Sequence, residues 1–309
     1  MEEELKHLLT GQPCPPIKGS SLPLGKNRVL GFNMCYVVVG VAIDDGKVLM
    51  IQEAKPSCRG QWYLPAGRVE KKETLIDAVK REVKEEAGVD FEPQALIGVE
   101  TQGMSWVRVT FSGKVVGGKL KTTSEADKES LQAGWFTSDV SRLPLEIPLR
   151  LRDILPLISA GVETQQLISA GPVVMPTPVA YVSTSLKFII LQDDGSKLCV
   201  LQAKSPAGTF LPFSVDGGFV FRKVAVEVMK NNGIEQITMD ELEVIGVLSV
   251  EHDPVGVDCI RDGVCLTLLV RSAAQLKGGA WVTLEDELVI ERLRTALGKG
   301  INCMRLLNY

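Results

Sequence analysis

The stretch from Gly67 to Val89, GRVEKKETLIDAVKREVKEEAGV, constrains this chain more than any other. Thr74 to Ala87 contains neither proline nor glycine and is rich in Leu, Ala, Val, Glu and Lys, which predicts a helix closed by Gly88 as its C-terminal cap. Leu75, Val79, Val83 and Ala87 recur every fourth residue and form a stripe that can pack on a sheet. Glu82, Glu85 and Glu86 stand at i, i+3 and i+4, so their carboxylates converge on a neighbouring face. Three like charges so close repel one another unless a cation sits among them. A hard divalent ion takes oxygen ligands and shares its shell with substrate phosphates, and it can neutralise a diphosphate and activate water. Lys80, Arg81 and Lys84 could instead soften the repulsion on a solvated acidic face, the commoner fate of an isolated ExxEE.

The pattern extends further, to G-x5-E-x7-R-E-U-x-E-E-x-G-U with U aliphatic. At average composition its seven fixed residues coincide about once in 10⁸ starting positions or less. At every position it resembles the signature of the Nudix hydrolases. The resemblance spans about residues 31–145 and implies an α/β/α sandwich around a mixed sheet, dependence on Mg²⁺ or Mn²⁺, and nucleoside diphosphates linked to another group as substrates. Carried over by position, it implies Glu82, Glu85 and Glu86 as metal ligands with the Gly67 carbonyl as a further oxygen. Glu73 and Arg81 would hold loop to helix by charge-assisted hydrogen bonds, with Gly88 closing the motif.

Within the family, IQEAKPSCRGQWYLPAGRVEKKET most resembles the vertebrate branch acting on oxidised purine nucleoside diphosphates, the 8-oxo-dGDP phosphatases related to the MutT homologues. The proline that marks ADP-ribose pyrophosphatases beyond the signature, and the tyrosine that marks dinucleoside polyphosphate hydrolases, are replaced by Ser105, Trp106 and Val107. Where the related oxidised-purine triphosphatase has an asparagine that reads the base, this chain has Tyr63, so the base must be read differently. Tyr63, Trp62 and Trp106 are candidates to stack on a purine, although aromatics beside Leu64 and Val107 are also ordinary core residues. Leu49, on the strand before the loop, is a pocket candidate by position.

The implied chemistry is displacement at phosphorus by water, releasing the nucleoside monophosphate and orthophosphate, and a carboxylate must take the water's proton. Glu85 is one candidate. The other lies in SEADKES, where Glu129, nearest the following strand, is preferred over Glu125 and Asp127. Two other readings stand beside this one. The chain could hydrolyse a different nucleoside diphosphate derivative, or be a low-turnover binding or sensor protein, although a pure binding module has no physical need for the carboxylate cluster.

Composition bounds the rest. The 309 residues, 45% hydrophobic and 23% charged, suffice for two cores. A net charge of −4 without a long basic run favours small nucleotides over nucleic-acid polymers. MEEELKHLL lacks a signal peptide's basic start and apolar core, no run is long enough to span a membrane, and the seven cysteines lack metal-binding spacing, Cys259 and Cys265 included. These features predict a soluble protein of a reducing, cytoplasmic compartment. The only histidines are His7 and His252, which argues against a Ser/His/Asp or Cys/His site in the first half.

Along the chain, residues 1–28, with Pro13, Pro15 and Pro16, read as a loosely ordered lead-in to a catalytic domain at 29–160. Strands are expected near 34–43, 48–52, 96–100, 106–111 and 132–136, with the turn DDGK between the first two and a closing helix at 149–160. Residues 161–177, with Gly171, Pro172 and Pro176, read as a linker. Beyond it the first half is echoed. AIDDGKVLMIQEAK returns as LQDDGSKLCVLQAK, GQWYLP as GTFLP, EVKEEAGV as EVMKNNGI and AGWF as GAWV. Pro65 to Trp135 spans 70 residues and Pro212 to Trp281 spans 69. Residues 178–309 are therefore expected to form a second, degenerate copy of the fold, acting as an internal pseudo-dimer partner or as a binder. Aligning Gly88 with Gly233 sets Glu227 opposite Glu82, but Val226, Lys230 and Asn231 opposite Arg81, Glu85 and Glu86, a set that cannot hold the same cation.

Overall fold

The computed structural model describes residues 1–10, 12, 26–103, 105–144, 146–150, 154–168, 174–205, 208–216, 220–254, 262–272, 276–298 and 305–306. Pro13, Pro15, Pro16, Gly171, Pro172 and Cys259 lie outside these residues. The chain divides into two compact units. One comprises Cys35–Glu100 and Val107–Val173; the other comprises Met1–Met34, Thr101–Trp106 and Val174–Tyr309.

The second of these units claims the N-terminus. Glu2–Leu9 form α1, although the sequence suggests a loosely ordered lead-in there. Leu5, Leu8 and Leu9, at i, i+3 and i+4, are buried in a core with Ile189, Leu191, Leu211 and Leu293. Glu2 Oε1 accepts the backbone N–H groups of Glu285 and Asp286, and Lys6 Nζ lies 2.7 Å from Asp286 Oδ2. At the other end of the lead-in, Arg28 Nη2 donates to Asp216 Oδ1 at 2.9 Å.

The unit that carries the signature opens with β1 (Cys35–Asp44) and β2 (Lys47–Glu53), an antiparallel pair. Between them Asp45 and Gly46 both take positive φ, as a two-residue hairpin turn requires. Then come β3 (Trp62–Tyr63), β4 (Ala66–Arg68), α2 (Leu75–Ala87), β5 (Val89–Gln102), β6 (Trp106–Gly118), β7 (Ser130–Thr137) and α3 (Ile154–Ile168). The strand order is β5-β6-β1-β2-β3, with β4 on β1 and β7 on β2.

Leu75, Val79, Val83 and Ala87 of α2 are all buried, and Gly40 of β1 admits Val83, since a Cβ there would stand 2.7 Å from its Cγ2. Strands β5 and β6 run well beyond the segments expected from hydropathy. The closing helix begins later than expected because Leu149 and Arg150 are extended, with the Arg150 N–H donating to the Trp62 carbonyl. It also continues through residues 161–168, where the sequence suggests linker. Gly161 does not end it, because the missing Cβ lets the helix close on Val41.

The other unit continues with β8 (Ser185–Asp193), β9 (Leu198–Ser205), β10 (Gly208–Phe210), β11 (Phe213–Val215), α4 (Phe221–Asn231), β12 (Leu242–Glu251), β13 (Cys265–Ser272), β14 (Ala280–Thr283) and α5 (Glu287–Leu297). Its order is β12-β13-β8-β9-β10, with β11 on β8 and β14 on β9. Strand for strand this repeats the first sheet, including the short strand on the first long one and the late strand on the second. The parallel β8–β13 pair among antiparallel neighbours makes this sheet mixed. The α/β architecture with a second copy of the fold is therefore present.

Candidate active site

The signature helix is fastened at both ends. Thr74 caps its start, its Oγ1 accepting the Asp77 N–H at 3.1 Å. Gly88 ends it in the left-handed conformation (φ 79), and a Cβ there would lie 2.3 Å from the Lys119 carbonyl. Around the last turn, Ser130 Oγ donates to the Glu86 carbonyl at 2.6 Å and Lys121 Nζ to the Glu85 carbonyl at 3.0 Å. Cationic and hydroxyl donors thus satisfy carbonyls that the helix cannot pair itself.

Arg81 organises the acidic face. Its Nε and Nη2 clamp the Glu73 carboxylate at 2.7 and 2.9 Å, and Nη2 also donates to the Arg68 carbonyl at 2.9 Å. This is the loop-to-helix brace that the sequence suggests for Glu73 and Arg81. The remaining nitrogen, Nη1, reaches Glu82 Oε1 at 2.8 Å and Glu85 Oε2 at 3.3 Å. The hydrogen bonds to Glu73, first among the causes, and the hydrogen bond and charge of Glu82 raise the Arg81 pKa further above its ordinary value, against its partial desolvation.

Glu86 is almost fully buried, and its Oε2 accepts the Ala66 N–H at 2.8 Å. Burial pushes its pKa up to about 8, against the pull of that hydrogen bond and of Lys55. Glu82 is also raised, first by desolvation, with Arg81 opposing and the charges of Glu85 and Glu129 adding to the rise. Gly67, paired with Val38 across β4 and β1, lies directly under Glu82, since a Cβ at 67 would stand 2.0 Å from the carboxyl carbon. Among the described residues no three acidic, His or Cys side chains are already drawn into one coordination shell. Arg81 holds Glu82 and Glu85, while the Ala66 amide holds Glu86. The donor set nevertheless fits a hard divalent cation. It is all oxygen, the glycine at 67 leaves room for the Glu82 carboxylate, and the set includes a buried carboxyl that needs a positive neighbour to ionise.

Two predictions arise here. Gly67→Ala is expected to displace Glu82, costing about 1–3 kcal/mol of stability together with the cation affinity. Paired thermal melts and Mn²⁺ titrations check this. The second concerns pH. The folded Glu86 carboxyl binds its proton more tightly than an unfolded one, whose value is near 4.5. Its contribution to stability is therefore full below about pH 4.5, falls as pH rises and is exhausted above about pH 8. In chelator, the melting temperature of the chain should decline across this window, and Glu86→Gln should flatten the decline.

In SEADKES, Glu125 caps Thr122, and Asp127 is engaged by Lys121 Nζ at 2.7 Å and by the N–H of Glu129 and Ser130. Glu129 is half-buried, and its charge is felt at Glu82. Of the substrate candidates, Leu49 is fully buried in the sheet, with no side-chain surface open to a ligand. Tyr63 is only 2% exposed, its hydroxyl accepts from Arg108 Nη1 at 2.8 Å and Arg150 lies 5.2 Å over its ring, so it belongs to a buried polar network rather than to an open stacking surface. Trp62 keeps part of its surface and meets Phe136 edge-on at 4.6 Å. Trp106 opens β6 and is half-buried.

Sequence reasoning missed Glu53, Lys55 and Arg150. Glu53, at the end of the apolar strand KVLMIQE, is buried and ion-paired with Arg150. A lone acid on an otherwise apolar strand is the signal that could have exposed it.

Residues 35–158 match the NUDIX domain family. The 8-oxo-dGDP phosphatase NUDT18 of Mus musculus is 40% identical over 80% of this chain and 75% of its own length. The chain belongs to the Nudix family. The human protein of the same name is 34% identical over 96% of both chains, and that of Danio rerio 37% identical over 87% of this chain and 82% of its own. The chain is thus a Nudix hydrolase, and α2 is its Nudix helix. In the second unit, α4 buries Val224, Ala225, Val228 and Met229, as α2 buries Ala78, Val79, Glu82 and Val83. This packing register sets Val228, not Glu227, opposite Glu82, one residue on from the glycine alignment. Glu227, Lys230 and Asn231 are all exposed.

Proposed function

We propose that this Nudix hydrolase cleaves the phosphoanhydride of oxidised purine nucleoside diphosphates, such as 8-oxo-dGDP and 8-oxo-GDP, to monophosphate and orthophosphate, a sanitising activity on the nucleotide pool. The observation that carries the reading is the Nudix helix itself, with Glu82 packed on Gly67 and Glu86 held by the adjacent Ala66 N–H, in a chain similar over nearly its whole length to 8-oxo-dGDP phosphatases. Glu82, Glu85, Glu86 and the Gly67 carbonyl would hold Mg²⁺, or Mn²⁺ in its place, which supplies charge neutralisation at the phosphates and acidifies water. Glu129 takes the proton of the attacking water, because Glu125 and Asp127 are committed to bracing their loop and Glu85 is engaged by Arg81. Trp62, which keeps part of its surface on β3, the partner strand of β2, stacks on the purine. The second unit, with no carboxylates at the buried positions of α4, performs no hydrolysis. No helix among the described residues is long and apolar enough to cross a membrane, and Cys35, Cys58, Cys199 and Cys265 are free thiols, which suits a reducing, cytoplasmic compartment.

Comparison of kcat/KM for 8-oxo-dGDP, 8-oxo-GDP, dGDP, 8-oxo-dGTP and ADP-ribose tests the reading. The oxidised diphosphates should lead by about tenfold or more. Equal rates on dGDP, or a lead for ADP-ribose, would refute the assigned specificity, and no turnover of any would favour a binding role.

A further inference from the structure

Glu53 lies outside the Nudix signature yet stands beside it. It ends β2, is 2% exposed, and is ion-paired with Arg150 through Oε1. Its other oxygen, Oε2, is buried with no hydrogen-bond partner. A buried acceptor left unpaired costs about 1–3 kcal/mol, so a native structure that keeps one calls for an explanation.

The surroundings of Oε2 supply one. The half-exposed Lys55 ammonium lies 4.0 Å from Glu53 Oε2 and 3.9 Å from Glu86 Oε1, too far to hydrogen-bond either and close enough to serve as the shared countercharge of both. Glu86 in turn spends Oε2 on the Ala66 amide, which turns Oε1 towards the same ammonium. Two buried carboxylates from different elements, β2 and α2, therefore face one position of positive charge that a half-exposed monovalent side chain fills without hydrogen-bonding either.

We propose that Glu53 is a fourth acidic residue of the metal centre, whose free oxygen serves the divalent cation in concert with Glu86, and that Lys55 is the ammonium the cation displaces. The inference rests on the metal reading above and adds to it a residue from β2. It makes predictions of opposite sign for two neighbours. Removing the Glu53 charge weakens cation binding, whereas removing the Lys55 charge strengthens it, because the competing ammonium is gone.

The test is titration of the full-length chain with Mn²⁺, following the free ion by electron paramagnetic resonance. Glu53→Gln should weaken affinity by about 10–100-fold, the scale of losing a carboxylate that supports a metal. Lys55→Met, at a half-exposed position, should tighten it by about threefold, the scale of one solvent-screened charge. Arg150→Gln separates this from a structural role, because a Glu53 that only held Arg150 would make its own substitution and that of Arg150 equivalent. Absence of Mn²⁺ binding by the wild-type chain would defeat the metal reading itself. Wild-type binding that Glu53→Gln leaves unchanged, or that Lys55→Met weakens, would defeat the role of Glu53 alone.

Discussion

Glu86→Gln is expected to lower kcat by at least about 10²-fold while leaving the fold intact. The two halves of this expectation have one cause. Glu86 is nearly fully buried beneath the loop that carries Ala66 and Gly67, and its carboxyl resists ionisation up to about pH 8. Glutamine keeps an oxygen for the Ala66 N–H and removes a charge that burial disfavours, so the melting temperature near pH 8 should stay level or rise. Loss of activity with gained stability is the expected behaviour of a site that stores unfavourable electrostatics for function. A variant that kept half its turnover, or that unfolded, would show that Glu86 is a packing residue.

Leu5→Ala should have the largest effect on stability of any substitution in the first ten residues. Leu5 is fully buried in the core of the unit containing residues 174–309, against Leu211, Leu293 and the β8 residues Ile189 and Leu191. Truncating a leucine in such a setting costs about 2–5 kcal/mol, which for a unit of this size lowers its melting temperature by roughly 2–4 °C per kcal/mol. Calorimetry on the full chain measures it directly. A change below about 0.5 kcal/mol, typical of an exposed site, would mean that α1 is a loose appendage.

The Nudix helix was legible in the sequence because its constraints are local. The cap at Thr74, the buried stripe from Leu75 to Ala87, the brace between Glu73 and Arg81 and the left-handed Gly88 all arise within one turn or loop. The repeat was legible too, since strand order follows from elements in sequence order, and the two sheets share one order. The remainder depends on contacts between distant segments. The leucines of α1 read as a short apolar stripe in an acidic tail, and only the proximity of α5 and β8 shows what they cover. Tyr63 reads as a stacking platform until Arg108 and Arg150 are seen to enclose it. Glu53 reads as the end of a strand, and only its closeness to Glu86 through Lys55 links it to the carboxylate cluster. The buried face of α4 lies one residue on from the glycine alignment because a shared glycine fixes where a helix ends, whereas packing fixes which face it turns inward.

The most direct test of the central claim is ³¹P NMR of 8-oxo-dGDP incubated with the full chain, in Mg²⁺ and again in excess chelator. The account predicts conversion to 8-oxo-dGMP and orthophosphate in Mg²⁺ and none in chelator. Conversion that persisted in chelator, or none in Mg²⁺, would contradict it.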